Sequence, residues 1–364
     1  MAEMVPASVL EIDLDAVAQN WRFLAGMHGG ATAAVLKADA YGTGAALVAP
    51  KLFAAGCRHF LTAHLSEAVA IRHLVPGAML AVLHGILPGE EPIFAEHDIW
   101  PVLCSLEEAS RWRAFGQTKQ LPALLHVDTG MARSGLSPRD IAAVRNDPYL
   151  LGGLDLRYVM THLVSAEAPG DGTNAIQEKR FYESKTLFPT AGASLANSAG
   201  MFLGQKFTAD LARPGAALFG INPTPGRPNP MRPVVRLTAR ILQIRHVTPG
   251  ESVGYNGTWT AEKPSRIATV AVGYADGFLR SLSNRATARF DGIKIPLVGR
   301  VSMDLTTYDV TAAPNAKPGD SLELIGPGHD ADDLAVEAGT NGYEILTSLG
   351  RRYQRRYFGA ALSV

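Results

Sequence analysis

Two cysteines in 364 residues, Cys57 and Cys104, are too few for a disulfide framework or a thiolate zinc site. Both are expected to be reduced, buried and structural. No charge surplus exists either, since 34 Lys and Arg stand against 34 Asp and Glu. Without a basic excess, a nucleic-acid backbone or an anionic membrane is not expected as the main partner. No apolar run approaches the roughly 20 residues of a membrane-spanning helix. The opening stretch MAEMVPASVLEIDLD lacks a basic segment and carries acids where the apolar part of a signal peptide would sit. A cytoplasmic protein is expected. Also missing are G-x-G-x-x-G, G-x-x-x-x-G-K-[ST], G-x-S-x-G and H-E-x-x-H. These absences remove the dinucleotide fold, the P-loop, the hydrolase nucleophile elbow and the zincin helix.

What is present describes a globular chain, with 47% apolar and 19% charged residues. Its length favours one large domain plus a smaller one. Short apolar runs alternate with segments of helical period: AAVLKA (33–38), HFLTA (59–63), MLAVL (79–83), WPVLC (100–104), ALLHV (123–127), LRYVMTH (156–162) and ASLAN (193–197). An eighth strand is required near ADLAR (209–213), where the pattern is weakest. Strands alternating with helices give βαβ units and a parallel sheet. Eight units suit a (β/α)8 TIM barrel, six an open doubly wound sheet, and the pattern does not choose between them. Ahead of the first strand, Leu14, Val17, Trp21 and Leu24 recur at helical spacing behind a cap at Asp13 or Asp15.

At 222–233 the text becomes NPTPGRPNPMRP, in which proline repeatedly removes backbone donors. This divides a barrel domain, 1–225, from a β-rich C-terminal domain, 226–364, which the first strand of the chain is free to join. Beyond the prolines the alternation is that of strands, including ATARFDGIKIPLVG with Asp291-Gly292 placed as a tight hairpin turn. One helix is expected, around DADDLAVEAG.

Lys37 ends the apolar run AAVLK. A lysine behind Val and Leu either emerges into solvent or must be paired, desolvated or covalently used. The carboxyl ends of barrel strands are where such a fold keeps its chemistry. Gly42 and Gly44 allow close backbone approach beside the hydroxyl of Tyr41. Among the histidines, His84 follows a strand, and a core position is expected for it in preference to the barrel mouth. Asp304 is expected to be structural.

The segment VLKADAYGTG resembles the cofactor-lysine motif of the alanine racemases, pyridoxal-phosphate enzymes with a (β/α)8 barrel and a C-terminal β domain. The likeness continues through VDTGMARSG, THL, ANSAG, ARPG, VGYNG, VGYADG and GRVSMD, in the family's order and over nearly the whole chain. It implies that Lys37 carries pyridoxal 5'-phosphate. Tyr41, Asn197, Ser198, Gly215 and Ala216 match the cofactor's surroundings, mainly its phosphate. Arg213 matches the partner of the pyridine nitrogen, with His162 as an orienting residue. Arg133 matches the arginine near the cofactor's phenolic oxygen and the substrate carboxylate, and Tyr274 and Met303 match substrate positions. Tyr255 matches the second catalytic base, opposite Lys37. The resemblance also implies a homodimer with composite sites, no metal, and racemisation of alanine, either to supply D-alanine for peptidoglycan or to degrade it.

Two positions depart from the family. His126 stands where many members carry a carbamylated lysine, so a carbamate cannot form there. Near the C-terminus the phosphate-binding tyrosine position falls on Arg351, with Tyr353 two residues on. Rival readings are a broader-specificity or serine racemase, a fold-related decarboxylase, and a non-catalytic cofactor-binding barrel. The decarboxylases carry a C-terminal cysteine motif, whereas no cysteine follows Cys104. The non-catalytic barrels lack a second domain.

Overall fold

In the computed structural model, which describes residues 5–117 and 120–359, the chain divides into two compact units. One comprises residues 17–218 and 222–232, the other 1–16, 219–221 and 233–364.

The larger unit is built on parallel strands taken in chain order. Ala34–Val35, His59–Thr62, Met79–Val82, Trp100–Leu103, Pro122–His126, Asp155–Met160 and Gly192–Ser194 form a seven-stranded sheet, each strand beside the next. An eighth, Leu211–Ala212, pairs with Ala31–Thr32, the beginning of the first barrel strand. Arg213 N donates to Ala196 O at 2.8 Å and Val35 N to Pro214 O at 3.0 Å, which carries the ladder from the seventh strand back to the first. The eight-stranded reading therefore holds, including its weakest member, which is only two residues long.

These strands read as continuous apolar runs because both of their faces are covered. All four residues of Met79–Val82 are buried. Val35, Leu61, Met79, Ala81, Val102, Leu124, Met160 and Leu211 pack together as one cluster. The helix Leu14–His28 buries Leu14, Val17, Trp21 and Leu24 as the spacing predicts, and Asp13 Oδ1 caps it by accepting Ala16 N at 2.9 Å. Cys57 is buried, but Cys104 is only half-buried, because it follows the last residue of its strand. Burial raises both thiols, to about 12 and about 11, so neither is a ready thiolate.

In the smaller unit the long strand Val235–Val247 organises the sheet. Ser8–Asp13 pairs antiparallel with it and parallel with Gln354–Phe358. Asp291 and Gly292, at φ 48° and 79°, close the hairpin of Thr287–Phe290 and Ile293–Pro296, as the Asp-Gly signal requires. Among the described residues beyond the prolines, two α-helices stand where one is expected: Ala331–Ala338 and Gly342–Ser348. The second has a legible start, with Asn341 capping Glu344 N at 2.9 Å. Among the described residues no helix is long and apolar enough to cross a membrane.

Candidate active site

Lys37 leaves the first barrel strand through buried Leu36 and enters an unusual turn. Ala38, Asp39, Ala40 and Tyr41 all have φ between 53° and 55°, one turn of left-handed helix made without glycine. Such a conformation costs roughly 1–2 kcal/mol per residue, so its surroundings must impose it. Gly42 N returns to Ala38 O at 2.8 Å and Gly44 N to Asp39 O at 2.9 Å. Asp39 Oδ1 accepts Ala45 N at 2.7 Å, anchoring the turn to the helix that follows. Burial, and secondarily the charge of Arg133, lower the pKa of Lys37, while Glu67 opposes them. The result is an amine that releases its proton more readily than a free lysine.

Tyr41 is buried, and its hydroxyl lies against Gly215. A methyl group on Gly215 would stand 2.3 Å from Tyr41 Oη, so any larger residue would force the buried ring to move. Ser198 Oγ accepts the N–H groups of Gly215 at 3.0 Å and Ala217 at 3.2 Å, and so shapes the same loop. Asn197 is used locally, its Oδ1 accepting Gly200 N at 2.8 Å. Tyr41, Ser198, Gly215 and Ala216 are thus gathered at the carboxyl ends of the first, seventh and eighth strands, where barrels place phosphate.

Arg213 is buried, at 4% exposure. Its guanidinium donates to Ser194 Oγ and to Thr161 O, each at 2.5 Å, and to Leu195 O at 3.4 Å. Burial pushes its pKa down to about 10, still far above neutrality, so it keeps its charge. No hydrogen bond joins His162 to Arg213 among the described residues. His162 instead lies on a loop whose carbonyl accepts Gln177 Nε2 at 3.0 Å. The same nitrogen reaches Thr129 Oγ1 at 3.0 Å, and Thr129 Oγ1 meets Thr161 Oγ1 at 2.8 Å. One fully buried glutamine therefore ties the Thr129 loop to the His162 loop.

Arg133 is exposed at the end of a loop shaped by Asp128, whose carboxylate accepts the N–H groups of Gly130, Met131 and Ala132, all at 2.9 Å. Leu136 N then returns to His126 O at 2.8 Å. No ion pair engages Arg133 among the described residues. Burial, with Arg213 beside it, pushes His126 down to about 4, and burial and the same arginine push His162 to about 3. Both rings are neutral at pH 7. His84 is exposed rather than core, stacked edge-on against His64 at 4.2 Å, because its strand ends at Val82.

Depressed histidines make the fold acid-sensitive. The unfolded chain takes up protons near pH 6.5 and the folded chain does not until much lower pH, so stability is full above pH 6.5 and falls beneath it. Two histidines over two pH units amount to a loss of up to roughly 5 kcal/mol. We expect the urea midpoint to fall steeply between pH 6.5 and 4.5, and His126→Gln to flatten that slope by about half. An unchanged slope in the variant would remove His126 from the explanation.

In the smaller unit, Tyr255 follows Gly254, whose φ is 76° and whose added methyl would lie 3.3 Å from Arg300 N. Tyr274 N donates to Ser302 O at 3.0 Å and Ala275 N to Met303 O at 2.9 Å, bringing Tyr274 and Met303 together. Gly273 permits that approach, since a Cβ there would meet Met303 O at 2.3 Å. Arg352 braces both loops through Asp276 at 2.9 Å and Asp304 at 2.8 Å, the structural use expected of Asp304. Arg351 is exposed, whereas Tyr353 is buried with a hydroxyl that has no hydrogen-bond partner among the described residues. Its burial among Asp276 and Tyr308 raises the phenol and withdraws it from any surface role.

Glu67, Asp128, Gln177 and Ser194 were not singled out in the sequence. Asp128 had a signal, an aspartate followed by a glycine-containing turn. Gln177 sits with Asn174, Phe181 and Ser184 on the buried stripe of its helix, a stripe too polar to be read as core from its spacing. Nothing local marks Ser194 or Glu67.

The arrangement is matched by known proteins. The sequence profile described as alanine racemase, N-terminal domain, matches residues 12–223, and that of the C-terminal domain matches 234–357. An alanine racemase of Acidiphilium cryptum is 58% identical over 347 residues, 95% of this chain and 97% of that protein. One from Methylobacterium sp. (strain 4-46) is 51% identical over 358 residues, 96% and 97% of the two chains. The crystal structure of alanine racemase from Bartonella henselae with covalently bound pyridoxal phosphate superposes with a TM-score of 0.93 at 38% identity, covering 97% of this chain and all of that one. Two adjoining profiles that together span most of the sequence, with relatives this similar over its length, place the chain in the alanine racemase family.

Proposed function

We propose that this chain is a pyridoxal-phosphate-dependent racemase that interconverts L- and D-alanine, with Lys37 and Tyr255 as its proton-transferring groups. The observation that carries the reading is the cradle at Gly215. Tyr41 Oη occupies the space a Cβ would need, and Ser198 holds the loop's N–H groups. An amine whose pKa is lowered by burial stands at the end of the strand preceding the Tyr41 turn, and a buried, immobilised arginine lies near the loop's start. These residues fit a phosphorylated aldehyde with a ring nitrogen.

Pyridoxal phosphate, when bound, acidifies the Cα–H of an amino acid by spreading developing negative charge over its ring. The chain's own residues do the rest. Lys37 holds the cofactor and moves a proton at Nζ on one face of Cα, the D face in the family. Tyr255 Oη serves the opposite face, and inversion requires one group on each. Arg213 keeps its proton and would leave the ring nitrogen of a bound cofactor unprotonated, which would weaken the ring as a sink for negative charge. That disfavours reprotonation away from Cα. Tyr41, Asn197, Ser198, Gly215 and Ala216 surround the cofactor with His162. Arg133 takes the substrate carboxylate, and Tyr274 and Met303 line substrate entry.

The same reading includes a cytoplasmic setting and a head-to-tail homodimer in which Tyr255 of one copy serves Lys37 of the other. Supporting the dimer, Tyr255, Tyr274 and Met303 expose 66%, 43% and 54% of their surface. Side chains that read as catalytic machinery are left uncovered in the single chain.

The test is an assay of the purified protein on L-alanine and L-serine, with D-amino-acid oxidase reporting the D-product. D-alanine should form at least about tenfold faster than D-serine. Equal rates would indicate a broad-specificity racemase, and no product from either would end this reading.

A further inference from the structure

Glu67 lies outside every motif segment named above. It lies on the helix Leu65–Arg72, behind the strand next to the one that delivers Lys37. Its carboxylate receives three backbone N–H groups. Oε2 accepts Ala63 N at 2.9 Å and His64 N at 3.0 Å, and Oε1 accepts Ala38 N at 2.6 Å. The His64 bond closes the helix's own N-terminus, the usual work of a glutamate at that position. The Ala38 bond is of another kind. It reaches back 29 residues to the residue immediately after Lys37.

Ala38 begins the left-handed turn, and its four residues are all non-glycine at φ 53–55°. Ala38-Asp-Ala40 is alanine-rich and would favour the right-handed form if left alone. A turn of the wrong hand persists only where the surroundings over-determine it. Asp39 holds its far end through Ala45 N, and Glu67 holds its near end through Ala38 N.

We propose that Glu67 is a positioning residue, whose carboxylate clamps the strained turn between Lys37 and Tyr41 and so fixes the lysine for its chemistry. This rests on Lys37 being the cofactor-bearing lysine. The electrostatics agree, because Glu67 raises the pKa of Lys37 against burial and Arg133. Both carboxylate oxygens act as acceptors. In Glu67→Gln the amide oxygen can serve one side only, and the NH2 group then faces another donor.

The experiment compares wild type, Glu67→Gln, Ala38→Gly and the double variant as full-length holoenzymes. Ala38 is exposed, and glycine takes a positive φ without the penalty of a Cβ, so Ala38→Gly relieves the strain that the clamp restrains. Amide exchange at Ala38, the kcat and KM for alanine, and the pH profile of kcat for D-alanine, in whose complex Lys37 is the free base, are measured for each. Glu67→Gln should speed Ala38 exchange and lower kcat by roughly ten- to a hundredfold. Its KM should change less, and the acid limb of its pH profile should move to lower pH. Ala38→Gly alone should change little, yet in the double variant it should recover most of the lost kcat. Unchanged Ala38 exchange in Glu67→Gln, or loss of thermal stability alone with no rescue by Ala38→Gly, would reduce Glu67 to a helix cap and overturn the proposal. Faster Ala38 exchange in a protein whose cofactor maps elsewhere than Lys37 would leave the mechanical clamp standing and overturn its catalytic purpose.

Discussion

Borohydride reduction followed by peptide mapping is expected to place a pyridoxyl group on Lys37, and Lys37→Ala is expected to be colourless and inactive. The loss should reach at least about a thousandfold, because proton transfer by a positioned base alone contributes roughly 10²–10⁴ and the covalent hold on the cofactor disappears as well. Compared in their cofactor-free forms, the two proteins should barely differ in stability. Lys37 is half-buried at a strand end and makes no hydrogen bond through its side chain among the described residues, so truncation should cost less than about 1 kcal/mol. A small primary amine such as methylamine should restore part of the activity of Lys37→Ala by entering the space left behind. A pyridoxyl group on another lysine, or a Lys37→Ala protein that still racemises without added amine, would refute the assignment.

The barrel was legible because parallel strands covered on both faces leave apolar runs, and helices between them leave a different period. Even the two-residue eighth strand was required by the count, although Leu211-Ala212 is too short to announce itself. The positions of Lys37, Tyr41, Ser198, Arg213 and Gly215 were legible through motif order. Their geometry was not. The text KADAY speaks for an ordinary right-handed turn, and the opposite hand is imposed by bonds to Glu67 and Asp39 that no local pattern reveals. The hold on Arg213 comes from Ser194 and the Thr161 carbonyl, at the ends of the seventh and sixth strands, contacts that become visible only once the strands stand side by side. Gln177 was hidden for a related reason. A buried amide is tolerable only if all its partners are present, and those partners lie on two distant loops.

His84 illustrates the limit from the other side. A histidine after an apolar strand invites a core position, but the strand stops two residues earlier, and the ring emerges to stack on His64. A one- or two-residue shift in where a strand ends changes a side chain from core to rim. That shift lies inside the ordinary disagreement over element ends. Motif order does not depend on where a strand ends, whereas the core-or-rim reading of a neighbour such as His84 does.

The second large effect expected is recovery of activity from two dead proteins. Lys37 and Tyr255 must serve opposite faces of one Cα, yet they belong to separate compact units of the chain. Tyr255 exposes two-thirds of its surface. If each site combines one copy's Lys37 with the other copy's Tyr255, a two-fold dimer carries two such sites. Lys37→Ala dimers are then inactive at both sites, and so are Tyr255→Ala dimers. After subunit exchange in an equal mixture, about half of the dimers are mixed, and each has one site with both residues intact. Activity should therefore rise to roughly a quarter of wild type. The level discriminates as well as the recovery, because a site built within one chain has either its lysine or its tyrosine missing in every copy. Exchange is followed independently by mass spectrometry of differently tagged subunits. Mixed dimers without activity would place both bases on the same chain and dismiss the composite site.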